Sequence, residues 1–372
     1  MFHLVLGLPF LLVLFGIVMP LAVPLWVKGI LAVLLLVGSQ YHLVSRLSSG
    51  SVLSPEFPRP IVILFTWAFG AIAFLAVLLV ALGAVKVPMT LVRGEHGTVP
   101  DGVRYALASV ASLLAAVGVH AAVRVPPLKD VTVEIHGLPS AFDDYRILQL
   151  TDLHISRLFP ASWTRTLVER SNALGVDLIV VTGDFIDGTL AKRRADVEPL
   201  RGLHAPDGVY AIQGNHEYYF GYREWMGHLA GMGMTMLLND HVVLKRREGR
   251  FILAGVTDRS AAGTGNPEPD LTAALAGAPE GVPIVLLDHQ PRKAKEAAAR
   301  GVSLQLSGHT HGGMIRGLDR LVARMNDGFV SGRYDVDGMT LYVNNGSALW
   351  PGFALRLGRP PELTRITRRR VA

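Results

Sequence analysis

The sequence predicts an α/β domain preceded by about four transmembrane helices, and three observations predict it. Charge is scarce in the first third of the chain, short apolar runs recur through the rest, and five of those runs end in Asp, His or Asn. The chain has 372 residues, with 36 Lys and Arg against 30 Asp and Glu, a formal net charge of +6 and a mean hydropathy of +0.36. Eight of the basic and four of the acidic side chains fall in residues 1–130. That shift divides the chain into a transmembrane anchor over 1–124, a linker and first strand over 125–142, and an α/β domain over 143–372.

A bilayer core of about 30 Å takes about 20 apolar residues of helix. Residues 4–27 carry no charge before Lys28, although Pro20 and Pro24 are expected to end or kink the helix. Residues 29–45 run uncharged to Arg46, at the short end of the range, and 61–85 form the clearest span. Residues 105–123 lie between Arg104 and Arg124. A cleaved signal peptide is the alternative for the first segment, but Met1-Phe2-His3 offers no basic region ahead of the apolar run, so a retained helix is preferred. Basic residues divide four against four between the two sets of loops, which leaves the membrane face of the α/β domain open. The spans lack a cluster of charges, so anchoring in the cell membrane is preferred to transport, and His120 is expected to be a packed histidine.

Composition narrows the chemistry. There are no cysteines, which excludes disulfides and thiolate ligands and leaves His, Asp, Glu or Asn to hold any metal. Residues 131–372 hold 28 basic and 26 acidic side chains, and so near a balance gives nucleic acid no footing. The basic run Arg368-Arg369-Arg370 is expected to be a solvated terminus, and no protein partner is predicted.

Five apolar runs are expected as buried strands. Residues 146–151 lead into Asp152-Leu153-His154, 177–182 into Gly183-Asp184 with Asp187 beyond, and 208–213 into Gly214-Asn215-His216-Glu217. Residues 282–288 lead into His289, and 302–307 into Gly308-His309-Thr310-His311. Stretches 161–174, 222–232 and 291–300 between them have helical character. In α/β sheets, sites gather at the carboxyl ends of strands. Asp152, His154, Asp184, Asn215, His289, His309 and His311 together make an all-nitrogen-and-oxygen ligand set suited to manganese, iron or zinc. Two divalent ions about 3.5–4 Å apart can clamp a phosphoryl group and acidify water. Side-chain alternation on an extended segment is expected to put Asp152 and His154 on one face, and His309 and His311 likewise. Any one of these motifs is common by chance; five in order, each behind an apolar run, are not.

The series Asp152-x-His154, Gly183-Asp184-x-x-Asp187, Gly214-Asn215-His216-Glu217, His289 and Gly308-His309-x-His311 resembles the signature of the calcineurin-like metallophosphoesterases over roughly residues 144–370. Gly214 to Tyr219, His289 to Pro291, Ser307 to Gly313 and Arg356 to Leu363 look like the membrane-associated branch, which includes predicted phosphodiesterases and pyrophosphatases of nucleotide-linked lipid precursors. Met314, and Asn344 through Trp350, depart from that branch and put substrate preference in question.

The resemblance implies a four-layer αββα sandwich of two mixed sheets flanked by helices. It implies two divalent metal ions, manganese favoured over iron or zinc. Asp152, His154, Asp184 and His311 would hold the first; Asp184 would bridge to a second held with Asn215, His289 and His309. His216 would be catalytic without ligating, and Asp187 and Glu217 would support the ligands or serve as structural carboxylates. Tyr218, Tyr219 and Trp225 are readable either as a substrate groove or as core. The reaction implied is attack of a metal-bridging hydroxide on a phosphodiester or pyrophosphate, with a membrane-associated or nucleotide-lipid substrate favoured by the anchor. Phosphoprotein or phosphomonoester hydrolysis is the alternative, and an inactive membrane scaffold that keeps the fold is the alternative from another class.

Overall fold

The structure is a computed structural model that describes residues 2–93, 98–135 and 137–370. It divides into two compact units, one of Met1–Ala122 with Trp350–Leu357, the other of Val123–Leu349 with Gly358–Ala372.

Among the described residues of the first unit, two helices are long and apolar enough to cross a membrane, Arg59–Val92 and Asp101–Val123. Helices Leu25–Ser39 and Tyr41–Ser49, bent by 55° at Gln40, make a third span if taken together. The expectation of four is corrected here. The first apolar segment is helical from Phe2 to Val18 and turns before Pro24, and its apolar part Gly7–Val18 is shorter than a full span. His120 is exposed rather than packed, because it points away from the face of its helix that buries Ala111, Ala115, Gly118 and Ala122. Trp350–Leu357 is held within this unit by the Tyr41 hydroxyl, which donates to the Pro351 carbonyl at 2.8 Å, and by the Arg356 amide, which donates to Gly118 O at 3.0 Å. Leu355 fills the space that side chains at Gly70 and Gly118 would take.

The second unit is built on two six-stranded sheets, with a mixed α/β order of elements. The first contains β1 (Leu128–Ile135), β2 (Arg146–Leu150), β3 (Leu178–Thr182), β4 (Val209–Ile212) and β5 (Thr235–Met236). The second contains β6 (Asp240–Arg246), β7 (Gly249–Gly255), β8 (Ile284–Leu287), β9 (Leu304–Ser307), β10 (Gly332–Val336) and β11 (Met339–Val343). The last strand, β12 (Leu363–Arg370), returns to the first sheet and inserts between β1 and β2 in the order β1-β12-β2-β3-β4-β5. The second sheet runs β10-β11-β9-β8-β7-β6, parallel at its centre with antiparallel edges.

Period-two alternation builds the core. Phe251 and Leu253 of β7, with Val285 and Leu287 of β8, meet Ile147, Leu178 and Val180 of the first sheet in one buried cluster. Their neighbours Ile252, Ala254 and Leu286 face the other way and pack on Ala294 and Ala297 of the helix Ala294–Ala299. Both faces of these strands are buried, which is why the runs read as continuously apolar.

Of the carboxy-terminal arginines, Arg369 is exposed as expected and Arg368 is not. Arg368 is fully buried in β12, with its guanidinium 3.9 Å from the ring centre of Phe251, 4.6 Å from that of Tyr145 and 5.5 Å from that of Phe142. A strand in mid-sheet carries alternate side chains inward whatever their charge, and the ring faces supply the electrostatic partner that a carboxylate otherwise would.

Candidate metal centre

The ends of β2 and β3, and those of β8 and β9, are stitched together by their own backbones. The amides of Asp152, His154 and Ile155 donate to the carbonyls of Gly183, Asp184 and Phe185 at 3.0, 3.1 and 2.9 Å. Gly308 N donates to His289 O at 2.9 Å, and His309 N donates to both carboxylate oxygens of Asp152 at 3.1 Å. Glycine is required where these loops touch. A side chain at Gly183, whose φ is +91°, would run into the backbone of Gly214, and one at Gly308 into Thr151 and Asp152.

All seven ligand candidates converge. Asp152, His154 and His311 form one group and Asp184, His289 and His309 another, with their ligand atoms within 4.8 Å of one another in each. His154 Nε2 lies 3.3 Å from His311 Nε2 and 3.8 Å from Asp184 Oδ2, and His289 Nε2 lies 3.3 Å from the same Asp184 oxygen. Asn215 Oδ1 faces His289 Nε2 at 3.1 Å and His309 Nδ1 at 2.8 Å. Asp184 therefore borders both groups. His309 is half-buried and the other six are buried.

The alternation argument for Asp152-x-His154 and His309-x-His311 does not describe the backbone. These residues lie beyond the strand ends, and Asp152, His154, Asp184, His309 and His311 all have positive φ, from 41° to 68°. Left-handed geometry turns each side chain inward instead. Among the described residues eleven that are not glycine have positive φ, and five of them are ligand candidates, a concentration of strain of the kind that marks functional loops.

The supporting residues act through named atoms. Asp187, fully buried, faces His154 Nδ1 at 3.1 Å with one oxygen and His216 Nδ1 at 2.5 Å with the other. His289 Nδ1 donates to Thr182 O at 2.7 Å. Each bond on Nδ1 directs the opposite ring nitrogen into the cluster. Glu217 accepts from the amides of Phe185 (2.7 Å), Gly214 (2.6 Å) and Asp184 (3.2 Å), so it pins the β3 and β4 loops to each other.

Trp225 is fully buried and its Nε1 donates to Gly188 O at 3.2 Å, which places it in the core. Tyr218 is half-buried and stacks on Tyr222 with ring centres 4.5 Å apart. Tyr219 is exposed, and its ring lies 5.3 Å from that of His216. The segment after β11 is a sixth wall of the site that the strand-by-strand reading missed. Ser347 and Ala348 donate to Thr151 O and Asp152 O at 2.9 Å, and a side chain at Gly346 (φ +80°) would stand 2.9 Å from Asp152 Cβ and 3.0 Å from His311 Nδ1. Its signal was present, since Met339–Val343 is another apolar run that ends in Asn344-Asn345-Gly346.

Three buried carboxylates crowd this pocket of imidazoles. Burial pushes the Asp152 carboxyl up. Burial also opposes ionisation of Asp184, but the facing His289 and His216 rings outweigh it and hold Asp184 well below the usual carboxylate range. Burial disfavours charge on His216, yet Asp184 and Asp187 lift it to about 9. Burial together with the neighbouring His289 pushes His309 down to about 3. Carboxylates gathered out of water need positive charge at their centre. Hard, oxygen- and nitrogen-preferring divalent cations match this donor set, so the residues present fit a metal pair.

Residues 145–313 match the family model described as calcineurin-like phosphoesterase. The chain is 34% identical over 266 residues to "Transmembrane protein with metallophosphoesterase domain" of Danio rerio, which covers 69% of this chain and 60% of that protein. It is 32% identical over 240 residues to an "Uncharacterized metallophosphoesterase" of Helicobacter pylori, covering 64% and 62%. With "Uncharacterized metallophosphoesterase YkuE" of Bacillus subtilis it shares 31% identity over 243 residues, 63% of this chain and 83% of that one. The chain thus spans about three fifths of the length of the first two relatives.

Proposed function

The chain belongs to the calcineurin-like metallophosphoesterase family, and on that footing we propose that it is a membrane-anchored, two-metal hydrolase of phosphodiester or pyrophosphate bonds in a lipid-associated or nucleotide-lipid substrate. The observation that carries the reading is the convergence of Asp152, His154, Asp184, Asn215, His289, His309 and His311 on one buried cluster with Asp184 between its two groups.

Asp152, His154, Asp184 and His311 would hold one cation, and Asp184, Asn215, His289 and His309 the other. Such a pair, manganese in the favoured reading, acidifies water and neutralises charge on a phosphoryl group when bound. The chain's own groups do the rest. Asp187 binds His216 through Nδ1, so His216 Nε2 is the atom left to carry a proton to the departing oxygen. The exposed ring of Tyr219 beside His216 offers a wall for that leaving group. Gly346 lies against Asp152 and His311, and Asn345 against Gly312. The apolar helices of the first unit support an integral anchor, which would keep the centre within reach of molecules that never leave the bilayer.

The full chain with Mn²⁺ is to be offered bis-p-nitrophenyl phosphate, p-nitrophenyl phosphate and a phosphopeptide. The diester is expected to be the best of the three substrates. A preference for the monoester or the peptide would favour the phosphatase alternative, and no turnover with metals bound would favour the scaffold.

A further inference from the structure

Among the described residues of the second unit, five large apolar side chains are exposed: Leu128, Tyr219, Leu318, Leu321 and Met325. Three of the five belong to the helix Asp319–Met325 and the residue that leads into it. Their spacing of three and four puts Leu318, Leu321 and Met325 on one face, at 45%, 57% and 60% exposure. Arg316, Arg320 and Arg324 alternate with them and are exposed too. A soluble domain scatters its exposed apolar side chains, and a patch interleaved with arginine marks an interfacial helix.

The helix is built onto the metal centre. A side chain at Gly313, two residues past His311, would collide with Asp319 at the start of the helix. The Asp319 carboxylate accepts from Gly317 N at 2.8 Å and pairs with Arg359, which fixes the turn. Tyr219, the exposed aromatic, stands beside His216 on another part of the same cluster.

We propose that the helix Asp319–Met325 rests in the headgroup region of an anionic bilayer, with Leu318, Leu321 and Met325 among the acyl chains and Arg316, Arg320 and Arg324 on lipid phosphates. The occupant follows from charge, since three cations alternating with apolar side chains match anionic headgroups over acyl chains and match no uncharged surface. Three apolar side chains are too few to recruit a free protein to a membrane. They suffice for one already tethered, because a tether supplies a high effective concentration. The substrate class of the metal centre is then the phosphoester of a lipid headgroup, presented at the surface rather than captured from solution. This inference rests on the membrane-anchored phosphoesterase reading.

The absence of cysteine allows clean single-site labelling of the full chain. Leu321→Cys, Met325→Cys and, as an exposed control away from the site, Glu248→Cys are to carry an environment-sensitive fluorophore. The chain is reconstituted in phosphatidylcholine–phosphatidylglycerol vesicles with and without nitroxide lipids. A helix lying about 5–10 Å into the headgroup boundary gives about twofold more quenching at 321 and 325 than at 248. Leu321→Asp combined with Met325→Asp is expected to lower turnover of the vesicle-embedded p-nitrophenyl ester of phosphatidic acid about tenfold, with turnover of bis-p-nitrophenyl phosphate unchanged. Quenching no greater than at 248, in a chain that resists alkaline carbonate extraction, overturns the proposal and leaves the anchor reading standing. Release by carbonate overturns both. Shielding from quencher with disulfide-linked dimers from Leu321→Cys would assign the patch to a second copy of the chain.

Discussion

His216 is bound through Nδ1 to Asp187 at 2.5 Å, and its Nε2 lies 3.8 Å from the Asp184 oxygen that borders both ligand groups. By distance alone it could ligate, since His154, Asp184 and His216 form a third group with the spacing of a metal site. The two roles separate in one variant. With His216→Gln, turnover is expected to fall about 10²–10⁴-fold, the usual worth of acid assistance, while metal analysis still finds two ions per chain. Loss of an ion would make His216 a ligand. Glu217 poses the converse question, because burial first, and Asp184 second, lift it to about 7 although it receives three backbone amides. Glu217→Gln turns one acceptor into a donor facing those amides. A loss of about 1–3 kcal/mol is expected in denaturant unfolding of the full chain, the cost of leaving buried amide donors unmet.

At the scale of elements, strands bring the ligands near and loops aim them. Gly346 tests the second half of that statement. Its φ of +80° and its closeness to Asp152 and His311 mean that Gly346→Ala adds both strain and a clash. Left-handed geometry in a residue with a Cβ costs roughly 1–2 kcal/mol, and the clash falls on two ligand candidates of the first metal group, Asp152 and His311. The expected result is weaker metal binding by titration calorimetry, with a metal-free melting temperature lowered by no more than the roughly 2–8 °C that this strain takes from a domain of this size; wild-type affinity would show that the loop after β11 has room to move. The difference in legibility has the same origin. Val180 and Leu306 belong to runs buried on both faces, so composition alone exposes the strands β3 and β9, and Asp184 and His309 follow as the residues just beyond them. The positive φ of those same residues depends on Gly183 meeting Gly214 and Gly308 meeting Asp152, contacts across loops that no local pattern encodes. The burial of Arg368 was hidden for a like reason, because Phe142, Tyr145 and Phe251 lie more than a hundred residues away in the chain. In the anchor, the apolar runs were plain, but their division into spans was not. The chain leaves helical geometry between Met19 and Pro24, and the pair at Gln40 bends by 55°.

Across the whole molecule, a cluster of buried carboxylates held by five strand ends has to be stabilised by whatever occupies its centre. Asp152, Asp184 and Asp187 are 0–1% exposed and belong to loops that hold each other, so the energy of filling the site is shared by the fold of the second unit. A ligand that binds the folded state alone stabilises it by about 2.7 kcal/mol per site at a hundred times its dissociation constant. Addition of Mn²⁺ to the metal-free full chain should therefore raise the melting transition of the second unit, and a chelator should reverse the rise. Helices of the first unit contain none of these ligands, so a separate transition of theirs in the same micelles should not move. Asp184→Asn removes the carboxylate shared by both groups and is expected to abolish most of the metal-dependent shift, whereas His216→Gln should keep it. An equal shift in wild type and Asp184→Asn would mean that the cations act elsewhere, and the two-metal reading of the site would fall with it.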